Sequence, residues 1–205
     1  MSILDGLNEE QRKAAEKVDG PVLILAGAGS GKTRTVTYRI AHMIKELGIS
    51  PLNIMALTFT NKAAKEMKER AENLIGPESQ NLVVSTFHSF SVRLLKTYSE
   101  RIGYGTNFNI YDVDDQKSII NKIKKELNIG NDELTPSKIA NKISKLKEEG
   151  IGVNELENKI DLKISSNRIF HSVYKRYNEV LKSNNAMDFS YLLLNAKKLL
   201  ENPYV

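Results

Sequence analysis

Hydrophobic and polar positions follow two different rhythms along this chain. Up to about residue 90, short apolar runs rich in branched side chains are separated by stretches of helical periodicity. Pro21-Val22-Leu23-Ile24-Leu25-Ala26, Asn53-Ile54-Met55-Ala56-Leu57-Thr58 and Leu82-Val83-Val84-Ser85-Thr86 have the length and composition of buried strands. Between them, Gly31 to Leu47 and Thr60 to Ile75 carry helical spacing and stop at Gly48 and Gly76. Strands alternating with helices of this length predict βαβ crossovers, and hence an α/β fold with a parallel sheet.

After about residue 91 the strand signals almost vanish, apart from Phe108-Asn109-Ile110-Tyr111. Ile119, Ile120, Ile123 and Leu127 form one helical stripe. Thr135-Pro136 reads as an N-cap followed by proline at the first helical position, with Ile139, Ile143 and Leu146 behind it and Gly150 as a stop. Ser166 to Lys182 and Asp188 to Glu201 fit further helices. The pattern predicts an α/β region followed by a helical region of about a hundred residues.

Composition narrows the chemistry. The 205 residues are 40% hydrophobic and 27% charged, which suits a soluble globular chain. With no cysteine, disulfides, thiol nucleophiles and cysteine-ligated metals are excluded, and three scattered histidines leave little for a catalytic metal. No apolar run reaches the ~20 residues of a membrane span, and the first residues lack the order of a signal peptide, so a cytoplasmic protein is expected. The net charge of +5 is uneven. Residues 1–90 hold 11 Lys and Arg against 10 Asp and Glu, and the remainder hold 19 against 15. That excess suits a polyanionic partner and equally a lysine-rich solvated surface.

The strongest chemical signal is Ala26-Gly27-Ala28-Gly29-Ser30-Gly31-Lys32-Thr33. It fits the phosphate-binding pattern G-x-x-x-x-G-K-[ST] with Ala26 in place of the first glycine. Small residues let backbone N–H groups turn inward around phosphate oxygens, and the helix that follows adds its positive end. Lys32 can reach the β- and γ-phosphates, and the Thr33 hydroxyl can take one position on Mg²⁺. Such a loop serves small-molecule kinases, GTPases and nucleic-acid motors alike.

Three neighbouring segments remain ambiguous on pattern alone. Asn8 and Gln11 form a capping box, yet a Gln amide also matches the donor–acceptor edge of adenine. Thr58-Phe59-Thr60-Asn61 sits at the carboxyl end of a strand, where ligands of parallel sheets bind. Its residues can contact phosphates and stack on a base, or Thr60 or Asn61 can simply cap a helix while Phe59 packs inward. Thr86-Phe87-His88 ends the next strand, and a lone histidine there serves structure as readily as binding.

Together these segments resemble a known family. LNEEQRKA (7–14), AGAGSGKTRT (26–35), ALTFTNKAAKEM (56–67) and STFHSF (85–90) closely resemble, in order and spacing, the opening motifs of superfamily 1 DNA helicases of the UvrD/Rep/PcrA type. IYDVDDQ (110–116) and MDFSYLL (187–193) look like that family's helical insertion and the return from it. The resemblance implies a RecA-like P-loop fold with helices on both faces of its sheet. Residues 1–90 would begin the first RecA-like domain, 91–186 would form the helical insertion, and 187–205 would return toward the RecA-like domain, stopping before the Walker B strand. By the same resemblance Gln11 reads adenine, while Ala28, Gly29, Ser30, Gly31, Lys32, Thr33 and Arg34 hold ATP, with Mg²⁺ on Thr33. Thr58, Phe59, Thr60, Asn61, Thr86, Phe87 and His88 would line a track for single-stranded DNA, with the insertion approaching the single-strand/duplex junction.

The resemblance further implies an ATP hydrolase that unwinds DNA in the 3′-to-5′ direction, its pathway (repair, replication restart or plasmid replication) left open. No Asp-Glu pair follows an apolar strand here, and the second RecA-like domain with its arginine fingers is missing. The expected partners therefore include the carboxyl-terminal domains of the same chain, and the 205-residue piece is expected to lack turnover. Its incomplete sheet should carry an exposed edge. A P-loop kinase would explain Lys32 and Thr33 but leave the two later segments without a task, and a non-catalytic binding module is the remaining alternative.

Overall fold

A computed structural model describes residues 2–130 and 134–202, so the end of the return segment, 203–205, lies outside the described residues. The chain divides into two compact units, Met1–Phe87 and His88–Val205.

In the first unit a 3₁₀ turn at Ile3–Gly6 leads into helix α1 (Glu9–Glu16). Asn8 starts that helix as half of a capping box: its side chain accepts the Gln11 N–H at 2.9 Å, and the Gln11 side chain accepts the Asn8 N–H at 3.2 Å. Helix α2 (Lys32–Lys45), strand β1 (Met55–Thr58), helix α3 (Asn61–Ile75) and strand β2 (Val83–Thr86) follow. Thr60 is the cap of α3, accepting the Ala63 N–H at 3.1 Å. β1 and β2 pair in parallel from Met55↔Val83 to Thr58↔Thr86, as a βαβ crossover through α3 requires. Ile40, Ala41 and Ile44 of α2, Met67, Ala71 and Ile75 of α3, and Ile54, Ala56 and Leu82 beside the strands make the core.

One sequence expectation fails in this unit. Pro21–Ala26 was predicted as a buried strand, but it forms no ladder among the described residues, and Leu23 and Leu25 are 82% and 86% exposed. A strand exists only through hydrogen bonds to a neighbour. Pro21–Ala26 pairs with neither β1 nor β2 among the described residues, so its apolar composition alone does not make it a strand.

The second unit opens with helix α4 (Phe87–Tyr98), which begins directly at the end of β2. Strand β3 (Asn109–Tyr111) precedes helices α5 (Val113–Glu126), α6 (Pro136–Glu148), α7 (Val153–Glu157) and α8 (Ser165–Ser183). Strand β4 (Ala186–Asp188), which the alternation did not reveal, pairs in parallel with β3, and α9 (Phe189–Leu200) follows it. Thr135 caps α6 with Pro136 behind it, and Ile120, Ile123, Ile139 and Ile143 pack on Phe170, Val173, Tyr174, Tyr177 and Leu181 of α8. Leu127, assigned above to the α5 stripe, instead forms its C-cap and stays 38% exposed. The stripe therefore ends one turn earlier. A second cluster joins Leu95 of α4 to Tyr104, Phe108, Met187, Leu192 and Leu199.

The architecture is α/β with two small parallel sheets and a predominance of helix. Among the described residues no helix is long and apolar enough to cross a membrane.

Candidate functional site

The glycine-rich turn reaches α2 through Gly31, its N-cap, at φ 85°. This left-handed conformation costs a residue with a Cβ. A Cβ here would also stand 2.8 Å from the Gln11 Nε2. Gly31→Ala should therefore strain the loop by about 1–3 kcal/mol and push Gln11 aside. A lowered melting temperature together with weakened nucleotide binding is the expected result.

Gln11 and Lys32 both touch the loop itself. The Gln11 amide donates to the Ser30 carbonyl at 2.9 Å while its oxygen stays in the capping box. The capping-box reading of Gln11 holds, and the same side chain ties α1 to the loop. The Lys32 Nζ donates to the carbonyls of Ala26 at 2.8 Å and Gly27 at 2.6 Å. Ser30 turns its hydroxyl to the Gly27 carbonyl at 2.8 Å. Around them lies a cavity of about 240 Å³, with Asn8, Gln11, Ala26, Ser30, Lys32 and Thr35 among its walls. Ala28 and Gly29 are exposed in the turn, and Thr33 lies half-buried in the first turn of α2, at the positive end of the helix dipole. Arg34 points elsewhere: its Nη2 donates to the Gly6 carbonyl at 2.7 Å, and its guanidinium lies 5.4 Å from the centre of the Tyr38 ring.

Arg39 is a contributor that sequence reasoning missed. From α2 it donates to the carbonyls of Ala14 at 3.0 Å and Val18 at 3.3 Å, so it braces the end of α1 against the loop's helix. An arginine inside a helical pattern carries no mark of partners so far back in the chain.

At the ends of the paired strands, Thr58 and Thr86 stand opposite each other, both buried. The Thr58 hydroxyl donates to the Thr60 carbonyl at 3.0 Å, which shapes the turn into α3. Phe59, in that turn, is 93% exposed instead of packing inward, and its ring lies 5.7 Å from that of Phe87, itself partly exposed. Asn61 is exposed in the first turn of α3. In the second unit His88 is exposed near the start of α4 and meets the Phe189 ring edge-on at 5.8 Å. Phe189, the first residue of α9, had no assigned role; nothing in its local sequence signals that it meets a residue a hundred positions earlier.

The fit to a nucleoside triphosphate is good on donor chemistry: a left-handed glycine turn, a lysine and a hydroxyl at one helix start. For a metal ion the same residues offer only the Thr33 hydroxyl. Among the described residues no group of three or more His, Cys, Asp or Glu could hold one.

Residues 7–205 match the UvrD/REP helicase N-terminal domain. The chain belongs to this family. A relative named ATP-dependent DNA helicase PcrA, from Staphylococcus epidermidis (strain ATCC 35984), is 45% identical over 205 residues, which cover 98% of this chain and 27% of the relative. Another of the same name, from Staphylococcus aureus (strain NCTC 8325), is 41% identical over 204 residues with the same coverage. This UvrD/REP chain thus spans about a quarter of the length of the curated relatives it matches.

Proposed function

We propose that this chain is the ATP-binding and single-strand-binding part of a cytoplasmic ATP-dependent DNA helicase of the UvrD/Rep/PcrA type, built on a RecA-like fold. The observation that carries the reading is the pair of aromatic rings, Phe59 and Phe87, exposed at the carboxyl ends of two adjacent parallel strands. A kinase for a small acceptor has no use for a stacking platform there. A motor on an unpaired strand does, because every base offers a π-face.

Within this reading Gln11 presents its amide to adenine and moves the Ser30 carbonyl with it. Lys32 exchanges the Ala26 and Gly27 carbonyls for phosphate oxygens, which bind a cation more strongly because they are charged. Ala28, Gly29, Ser30 and Gly31 supply backbone N–H groups, Thr33 offers its hydroxyl to Mg²⁺, and Arg34 leaves Gly6 to join the nucleotide. Mg²⁺, when bound, would neutralise charge on the phosphates. In the first unit Thr58, Thr60, Asn61 and Thr86 would contact the strand, and in the helical unit His88 would do so, the DNA bound including a single-strand/duplex junction. The relatives are named ATP-dependent helicases, and unwinding in the 3′-to-5′ direction with hydrolysis belongs to the longer protein, whose further domains are this chain's partners. This chain alone binds without turnover, a reading supported by the lack, among the described residues, of any group of three or more His, Cys, Asp or Glu able to hold a metal ion.

Titrating labelled oligo-dT by anisotropy at several salt concentrations tests the proposal. Affinity should fall steeply with salt, by about 0.7 in log–log slope for each phosphate neutralised. Phe59→Ala should weaken binding about tenfold, the scale of one lost base–aromatic stack. Binding that is indifferent to salt and to Phe59, or none at all, would remove the helicase reading.

A further inference from the structure

Among the described residues, the helical unit holds an oppositely charged pair buried within it. The side chains of Lys147 and Asp188 are 0% and 1% exposed, with the Lys147 Nζ 2.7 Å from the Asp188 Oδ2. Burying two ions is costly, and a hydrophobic pair of the same volume would often be as stable. A purely architectural account therefore leaves the pair unexplained.

Its connections suggest a task. Asp188 Oδ2 also accepts the Tyr177 hydroxyl at 2.8 Å, and Oδ1 accepts the Tyr191 N–H at 2.8 Å as the N-cap of α9. One carboxylate thus joins α6, α8 and the first turn of α9. The Lys147 ammonium lies 3.6 Å from the centre of the Tyr191 ring and 4.8 Å from that of Tyr177, so rings and carboxylate together define its position. Directly after Asp188 comes Phe189, a 46% exposed ring whose ring partner is His88. The backbone that carries this ring starts at the anchored carboxylate, the N-cap of α9.

We propose that the buried Lys147–Asp188 pair positions the single-strand track: it fixes where α9 begins and thereby holds Phe189 against His88, ready for an unpaired base. The pair acts through Phe189 and does not itself meet DNA. Its place in DNA binding rests on the function proposed above, whereas its hold on Phe189 does not.

The test uses Lys147→Met combined with Asp188→Asn, which removes both charges, leaves no buried ion unpaired and keeps a good N-cap. Proton–carbon NMR of the His88 ring reads the contact without DNA, because the Phe189 ring current displaces its resonances and Phe189→Ala defines their free position. The double variant, folded by circular dichroism, should move His88 most of the way to that position. A His88 signal unchanged from wild type overturns the proposal. Should the double variant not fold, Tyr177→Phe removes one anchor without touching a charge. It should move His88 in the same direction by less, and no movement again overturns the proposal.

In the oligo-dT titration, the double variant should bind about tenfold more weakly, and adding Phe189→Ala to it should cost nothing more, since coupled residues are not additive. Full additivity contradicts positioning. Failure of the wild type to bind DNA would overturn the helicase reading, and the NMR result would still decide whether the pair places Phe189.

Discussion

Lys147→Met by itself should destabilise the helical unit by about 3–5 kcal/mol, the cost of leaving a buried charge without its partner. Asp188 would keep the Tyr177 hydroxyl and the Tyr191 N–H but lose the Lys147 ammonium, in a site almost closed to solvent. Adding Asp188→Asn should return most of that loss. Urea unfolding followed by far-UV circular dichroism measures both. The tyrosines of the same network predict a response to pH. Burial raises the Tyr174, Tyr177 and Tyr191 phenols above their ordinary value. Above about pH 10 the unfolded chain therefore gives up its phenolic protons first, and stability should fall as pH rises. A flat stability profile across that range would contradict the burial of these phenols.

Lys32→Ala should weaken binding of a magnesium nucleoside triphosphate about 10- to 100-fold, the range for one hydrogen bond to a charged group. The fold should not suffer, since Lys32 is exposed and its ammonium donates to the carbonyls of Ala26 and Gly27 in the wild type. Titration calorimetry paired with a thermal melt separates the two effects. An unchanged affinity would mean that the loop does not grip phosphate through this lysine, and the nucleotide reading of the cavity would fail with it.

Much of this was legible before any coordinates. The glycine-rich turn stands out because the phosphate-binding pattern joins small residues, a lysine and a hydroxyl at fixed spacing at the start of a helix. Thr135 was readable as a helix cap and Thr60 as one of two candidates, because a short polar side chain in front of a periodic run accepts a free N–H, whereas Asp188 was readable only as the start of a helix and proves to be its cap. Local pattern failed where the answer depended on a distant neighbour. Pro21–Ala26 has a strand's composition without a ladder, and β4 is too short to show its period, existing because β3 lies beside it.

The sequence by itself therefore determined most of the helices, the β1–α3–β2 unit and the glycine-rich turn in front of α2, all of which follow from interactions within a few residues or one crossover. Tertiary structure alone decided that Phe59 faces outward, that Arg39 braces α1, that Phe189 meets His88, and that Lys147 is buried among tyrosines with Asp188. Each of these joins side chains far apart in the chain, and which pairs can meet is set by how the helices pack.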